Sequence, residues 1–234
     1  MKAPLQATLA ERDPVVFARA QAVTSSILKR GVDIAFSLTG LILSAPVWLI
    51  VPLAIKLEDR GPAFFRQERS GLRGRVFNAL KFRSMRTDAE KGGARQAVHG
   101  DPRVTRVGRI MRATALDELP QLINIFRGDM SVVGPRALRP GEIEARGNGE
   151  FERLEDVPGF DVRSSVRPGL TGVAQIYAAR DLPRRGKFRY DRRYILRQSF
   201  SLDARLILLS FWISASGTWE ERGASRRQGD RERG

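Results

Sequence analysis

Two adjacent carboxylates carry the densest chemistry in this chain. They lie in the run Arg112-x4-Asp117-Glu118-Leu119-Pro120-Gln121-Leu122. Paired carboxylates can hold Mg2+, a hard cation that commonly bridges protein carboxylates and substrate phosphates. The plainer reading is a helix cap, since acidic residues in a first turn complement the helix dipole. Two basic turns offer partners for a negative substrate: Gly134-Pro135-Arg136 and Arg163-x3-Arg167-Pro168-Gly169. Guanidinium forks bind phosphate oxygens in pairs. A turn pre-set by proline and glycine lets the backbone approach a phosphate, though ordinary turn chemistry uses the same residues.

Composition narrows the chemistry further. The 234 residues include no cysteine and one histidine, His99. Disulfides, thiolate metal sites, histidine zinc sites and a Ser-His-Asp triad are excluded. The work falls to carboxylates, Arg, Lys, hydroxyls or an oxygen-bound metal. The net charge is +15. Between Arg66 and Arg112 alone, 13 Lys and Arg face four Asp and Glu. A field of that sign attracts polyanions, whether nucleic acid, anionic lipid headgroups or nucleotide phosphates.

The element that must position this chemistry is apolar. Ile34 to Ile55 is 22 residues without a charge, broken by Pro46. It is too long for the apolar core of a signal peptide, and mostly polar residues precede it. As one helix it would be roughly 33 Å long, enough to cross a bilayer. Pro46 predicts a kink and Pro52 weakens the second half. Lys29 and Arg30 before it and Lys56 and Arg60 after it put basic flanks on both sides. The excess of positive charge on cytoplasmic flanks then favours a helix that enters and returns on one face over a single span.

Elsewhere the patterns are shorter. Residues 1–26 read as an interfacial or flexible segment, with a weak helical pattern at Val15, Val16 and Phe17. Residues 63–69 and 75–82 read as a β-hairpin around Ser70-Gly71-Leu72-Arg73-Gly74. Residues 88–101, with His99, read as a loop. Residues 103–113 read as a basic helix. Thr114-Ala115-Leu116-Asp117 has the spacing of an N-cap for a second helix that ends at Gly128. Residues 134–141 and 158–172 read as shaped loops. Residues 184–200, with Tyr190 and Tyr194, and residues 202–213 read as helices, the last too short to span. The tail 216–234 reads as disordered.

Eight segments then occur together and in order: KRGVD (29–33), the proline-broken apolar run, FFRQERSG (64–71), KFRSM (81–85), LDELPQL (116–122), GDMSVVGPR (128–136), VRPGLTGVAQ (166–175) and YDRRYI (190–195). In this the chain resembles the bacterial sugar transferase family, the monotopic phosphoglycosyl transferases, from about Lys29 to about Leu209. With one strongly apolar segment it resembles the short members.

The resemblance implies an α/β fold, mainly α with a small β-hairpin. It implies a compact cytoplasmic domain (59–215) behind a re-entrant membrane helix-break-helix (27–58), with interfacial amphipathic helices. It implies transfer of a sugar-1-phosphate from a UDP-sugar to polyprenyl (undecaprenyl) phosphate, with release of UMP, as the start of exopolysaccharide, O-antigen or glycan synthesis. Asp117 would be the nucleophile of a covalent aspartyl phosphosugar, and Glu118, with Asp117, would hold Mg2+. Metal-bound UMP leaves without a general acid, and the helix N-terminus and metal would keep Asp117 ionised. Arg112, Arg136 and Arg167, with Pro135, Lys81 and Arg83, would contact substrate. Lys29 and Arg30 would meet lipid headgroups where the re-entrant helix begins, with Asp33, Ser44 and Pro46 shaping it. The expected place is the cytoplasmic face of the bacterial inner membrane. Expected partners are phospholipids and downstream glycosyltransferases, with no nucleic acid. Where the family often has Ser-Pro at the break, this chain has Ala45-Pro46, with Ser44 one residue earlier. It also has Val173 where the family often has Trp, and Tyr177-Ala178 near where the family often has Asn-Gly. A non-catalytic membrane-attached module binding anionic lipid or nucleic acid explains the charge and the apolar run but not Asp117-Glu118. A glycosyltransferase without a covalent intermediate is the other enzymatic alternative.

Overall fold

A computed structural model of the protein describes residues 13–89, 100–145, 150–179, 182–217 and 219. The predicted loop around His99, most of the terminal tail and the first twelve residues lie outside the described residues. Helix α1 (Pro14–Ser25) begins at Asp13, whose carboxylate accepts the Val16 N–H, with Pro14 in the first turn, where its missing donor costs nothing. It buries Val16, Ala20 and Val23.

Ser26 caps α2 (Ile27–Leu43), which stops at Ser44; α3 (Ala45–Asp59) follows at an angle of 61°. The bend falls where Pro46 predicts it. Pro46 itself sits in the first turn of α3, while Pro52 lies inside α3 without ending it. Ser44 closes the corner: its hydroxyl donates to the Leu41 carbonyl (3.4 Å) and accepts from the Trp48 indole (3.0 Å). Among the described residues no single helix is long and apolar enough to cross a membrane, although the bent pair passes that test together.

Strands β1 (Phe64–Ser70) and β2 (Val76–Phe82) form the expected hairpin, in register from Phe64–Phe82 to Ser70–Val76. Helix α4 (Arg106–Ala113) is capped by Thr105, and a 3-10 turn (Leu116–Glu118) leads into α5 (Gln121–Arg127). Then come β3 (Ser131–Val133), the antiparallel pair β4 (Ile143–Ala145) and β5 (Phe151–Arg153), α6 (Phe160–Ser164), β6 (Gly169–Thr171), α7 (Val173–Tyr177), α8 (Arg184–Arg197) and α9 (Phe200–Ala215). The fold is therefore mainly α, as expected, but holds more pairing than one hairpin. Inside the predicted loop 158–172 lie α6 and β6, and β6 runs parallel to β3.

The main core gathers Val16, Leu122, Ile125, Val132, Ile195 and Leu206 from five elements. A second cluster puts Val51 and Ile55 of α3 against Phe82 and Met111. Gly40 lets α2 approach α5 closely, because a Cβ there would lie 2.9 Å from a Leu122 methyl and push it aside. Outward, α2, α3 and α9 expose apolar side chains: Ile27, Leu43, Leu49, Leu57, Leu208 and Trp212 are each at least 70% exposed.

Candidate active site

The carboxylate pair does not open an α-helix. Thr114 donates its hydroxyl back to the Ile110 and Met111 carbonyls, so it caps nothing ahead of it. Ala115 takes a left-handed conformation (φ 58), a strain of roughly 1–2 kcal/mol for a residue with a Cβ. That reversal turns the 3-10 segment off the axis of α4 and presents Asp117 and Glu118 to a cavity of about 1530 Å3. Helix-dipole support expected for Asp117 is accordingly missing, since α5 starts only at Gln121.

Lys81, Arg83, Arg112 and Arg136 line the same cavity as Asp117 and Glu118. Lys81 reaches it because Asn124 pins β2 to α5. The buried Asn124 amide accepts the Leu80 N–H (3.0 Å) and donates to the Asn78 carbonyl (2.8 Å), standing in for a strand partner. Glu118 Oε1 accepts from Lys81 Nζ (2.6 Å) and Arg136 Nη2 (2.9 Å). Burial opposes ionisation of Glu118, but Arg136 and Lys81 outweigh it and hold the carboxyl well below its usual range. Asp117 goes the other way. Burial is the largest cause, Glu118 adds to it, and together they exceed the pull of Lys81, Arg112 and Arg136, so its pKa is pushed up to about 6. The two neighbours are thus driven apart, Glu118 toward the charged form and Asp117 toward the neutral one.

Arg83 is 6% exposed and pairs with Asp59 at the end of α3; among the described residues its Nε and Nη1 have no hydrogen-bond partner. Those two nitrogens are buried, Nη1 against Gly61, so the ion pair with Asp59 fixes the guanidinium in the wall between α3 and β2. Toward its apolar side the cavity runs between Phe36, Gly40, Leu43 and Val47 of the bent pair and Ile207 and Phe211 of α9. Polar and greasy walls thus share one space.

Other expected site residues do different work. Arg167 lies outside this cavity: its Nε donates to the Gly128 carbonyl and its Nη1 to Thr24, closing the end of α5. Pro135 does not line the cavity either; its carbonyl accepts the Gly169 N–H (2.9 Å). Lys29 and Arg30 turn inward, not toward headgroups. Lys29 binds Asp203 (2.8 Å) and the Val133 carbonyl, and Arg30 donates to the Ile125 and Phe126 carbonyls, a cation at a helix C-terminus. Asp33 is buried and accepts from the Ser131 hydroxyl and the Val132 N–H, both at 2.9 Å. These three residues bolt α2 to the domain. Ser44 and the Pro46 corner line or adjoin the apolar wall.

Other contributors act differently from what their local sequence suggests, or carry no local signal. Arg163, on one of the two basic turns, is 5% exposed and donates to Asp191 (3.0 Å) and to the Arg136 carbonyl, with its guanidinium 4.9 Å from the Phe188 ring centre. It braces the chain that carries Arg136. Arg69 and Arg139 also line the cavity. Asn124 could have been suspected only as a polar residue on the apolar face of α5.

No group of three or more His, Cys, Asp or Glu side chains fit for a metal occurs among the described residues. The Asp117-Glu118 pair still suits Mg2+, which uses one or two carboxylates and completes its shell with water and substrate phosphate. Both cations meet Glu118 at Oε1, which leaves Oε2 outside those bonds.

A family profile described as bacterial sugar transferase matches residues 24–217. The chain is 44% identical over 190 residues to an undecaprenyl-phosphate glucose phosphotransferase of Komagataeibacter xylinus, a match covering 78% of this chain and 35% of that protein. It is 43% identical over 187 residues to the exopolysaccharide production protein PSS of Rhizobium leguminosarum bv. phaseoli, covering 77% and 92%. It is 45% identical over 158 residues to a UDP-glucose:undecaprenyl-phosphate glucose-1-phosphate transferase of Caulobacter vibrioides, covering 68% and 57%. The chain thus spans about a third of the first relative, most of the second and just over half of the third.

Proposed function

The chain belongs to the bacterial sugar transferase family, and from that membership we propose that it transfers a sugar-1-phosphate from a UDP-sugar to a polyprenyl phosphate. In the first step an Asp117 oxygen attacks the sugar-bearing phosphorus. The bond from that phosphorus to the bridging oxygen breaks, and UMP departs with the electron pair. In the second step a phosphate oxygen of the polyprenyl phosphate attacks the same phosphorus, and Asp117 leaves as carboxylate. The products are UMP and a polyprenyl-diphospho-sugar.

The observation that carries this reading is the shared cavity, with Asp117 and its ring of cations at one side and apolar helix faces at the other. A soluble nucleotide sugar and a lipid phosphate need such a space. Lys81, Arg112 and Arg136 offset the repulsion between an attacking carboxylate and phosphate oxygens, and they stabilise the charge that grows on the departing phosphate. Glu118 is kept ionised by Lys81 and Arg136, as a metal ligand must be. Mg2+, held by Glu118 and Asp117, would supply further neutralisation of the substrate phosphates.

We also propose that the bent pair enters and leaves the cytoplasmic leaflet of the bacterial inner membrane on one side. Support comes from the 61° corner and from the exposed apolar faces of α2, α3 and α9, which phospholipid would cover. The basic anchors Lys29 and Arg30 hold α2 to the domain, so the domain sits where the helix enters. Because the chain has no cysteine, single cysteines at Ala22 and Arg60 report topology directly. Both are expected to react with an impermeant reagent from the cytoplasmic side. Reaction of one site only from the opposite side would mean a full span. Gly61 is unsuited to the test, since a side chain there would collide with Arg83.

The enzymatic test is UMP release from a panel of UDP-sugars in the presence of polyprenyl phosphate and Mg2+. Release is expected with at least one sugar from the wild type and none from Asp117→Asn. Wild-type rates in Asp117→Asn would remove the covalent step.

A further inference from the structure

Lys29 and Arg30 turn inward, so headgroups at the entry of α2 must find their cations elsewhere. Helix α8 carries a set that the fold leaves unmatched. Arg185, Arg189, Arg193 and Arg197 follow one another at intervals of four, which puts them on one stripe of the helix. All four are exposed, while Phe188, Asp191, Tyr194 and Ile195 on the other side are buried. The other charges of α8 have partners: Arg184 takes Glu142, Arg192 takes Asp13 and Asp191 takes Arg163. Among the described residues no hydrogen bond or ion pair engages the side chains of the stripe. Like charges four apart on a helix repel, so the stripe costs stability unless something outside the fold meets it.

One end of the stripe runs onto the apolar surface. Lys29, in the first turn of α2, is bound at 2.8 Å to Asp203, in the first turn of α9. That contact holds the start of α2 beside the start of α9. Ile27 and Leu28 on one side and Phe200 on the other are 88%, 68% and 62% exposed. Helix α8 ends at Arg197, and α9 begins at Phe200. Helix α1 keeps α8 on this course: Asp13 at its start binds Arg192, and Arg19 further along donates to the Leu196 carbonyl. At 1.5 Å per residue, Arg193 stands roughly 6 Å along the helix from Arg197, and Arg185 roughly 18 Å.

We infer that Arg193 and Arg197, the C-terminal end of this stripe, dock on anionic phospholipid headgroups of the leaflet that α2 enters. The inference rests on the membrane placement proposed above and names the lipid class which that placement meets. Anionic headgroups attract each nearby Lys or Arg, and the attraction fades within a Debye length, about 8 Å at physiological salt. Arg193 and Arg197 lie within that reach of the apolar edge, whereas Arg185 lies beyond it. A long arginine stem rests on apolar surface while its head meets phosphate, as Arg197 beside Phe200 requires. A lipid surface suits the stripe better than nucleic acid, which would leave Ile27, Leu28 and Phe200 bare.

The test dilutes the full chain from detergent into vesicles of phosphatidylcholine, alone or mixed with phosphatidylglycerol, and follows capture by flotation. The wild type is expected to favour the phosphatidylglycerol vesicles, with a preference that shrinks as salt is raised. Arg193→Gln/Arg197→Gln should lower that preference by roughly tenfold or more. It should leave the melting temperature and capture by phosphatidylcholine vesicles unchanged. Arg193→Lys/Arg197→Lys, which keeps both charges, should keep the preference, and Arg185→Gln should keep most of it. A preference unchanged in the paired Gln variant, or one lost as fully in Arg185→Gln, would overturn the docking end. Equal wild-type capture by both vesicles would overturn it too, while leaving the membrane placement standing. Wild-type capture by neither would overturn both. Tighter binding to a short duplex DNA at equal phosphate, lost in the paired Gln variant, would make the stripe a nucleic-acid face and overturn the lipid assignment.

Discussion

The Arg163–Asp191 pair makes a quantitative prediction that links packing to the site. Both side chains are 5% exposed, and their charges meet at 3.0 Å. Burial pushes the Asp191 carboxyl up and the Arg163 guanidinium down, with each partner countering the effect on the other. Asp191→Asn would leave a buried guanidinium without its counter-charge, which costs about 3–5 kcal/mol. For a domain of this size each kcal/mol is worth about 2–4 °C, so the melting temperature should fall by roughly 6–20 °C. Arg163→Met strands the carboxylate and should cost a similar amount. The double variant removes both charges and should recover much of the loss, giving a coupling energy of about 2 kcal/mol or more. Activity should not recover with it, because the Arg136 carbonyl has lost its Arg163 donor in both Arg163 variants. The assay is thermal unfolding in nanodiscs run beside UMP release. Additive losses in the double variant, or full activity in a folded Arg163→Met protein, would refute the reasoning.

Three further outcomes follow from the geometry. Asn124→Ala leaves the Leu80 N–H and Asn78 carbonyl buried and unpaired; it should cost about 2–5 kcal/mol and lower kcat by loosening Lys81, read by melting and UMP release. Gly40→Ala drives a methyl toward Leu122 and should cost about 1–3 kcal/mol, with a matching loss of membrane-extracted folded protein. Removing Mg2+ with EDTA should stop UMP release, and added Mg2+ should restore it; undiminished turnover without divalent cation would remove the metal from the account.

Local patterns of the chain predicted local features well. The bend at Pro46 needs only a missing donor and a clash within one turn. The β1–β2 hairpin and the helices around Leu122, Tyr194 and Leu206 show the periodicity of half-buried elements. What escaped the sequence depends on distant partners. Nothing near Thr114 announces that its hydroxyl folds back into α4, or that Ala115 turns left-handed. Lys29 and Arg30 read as headgroup contacts because basic residues flank an apolar run, yet Asp203 and the α5 carbonyls claim them from far along the chain. Arg167 and Arg136 sit on similar Pro-Gly turns, and only tertiary packing sends one to Gly128 and the other to Glu118. The site itself was half legible. Asp117 and Glu118 declared themselves as a pair, and Lys81, Arg83, Arg112 and Arg136 do line their cavity. Asn124, which aims Lys81 at the pair, and the Arg163 brace did not.

Intact-protein mass spectrometry after mixing with a UDP-sugar and Mg2+, without lipid acceptor, tests the central claim most directly. An added mass of one sugar phosphate is expected on Asp117, discharged when polyprenyl phosphate is supplied and absent in Asp117→Asn. A protein that turns over at full rate while its adduct maps to another residue, or that does so as Asp117→Asn, would contradict it.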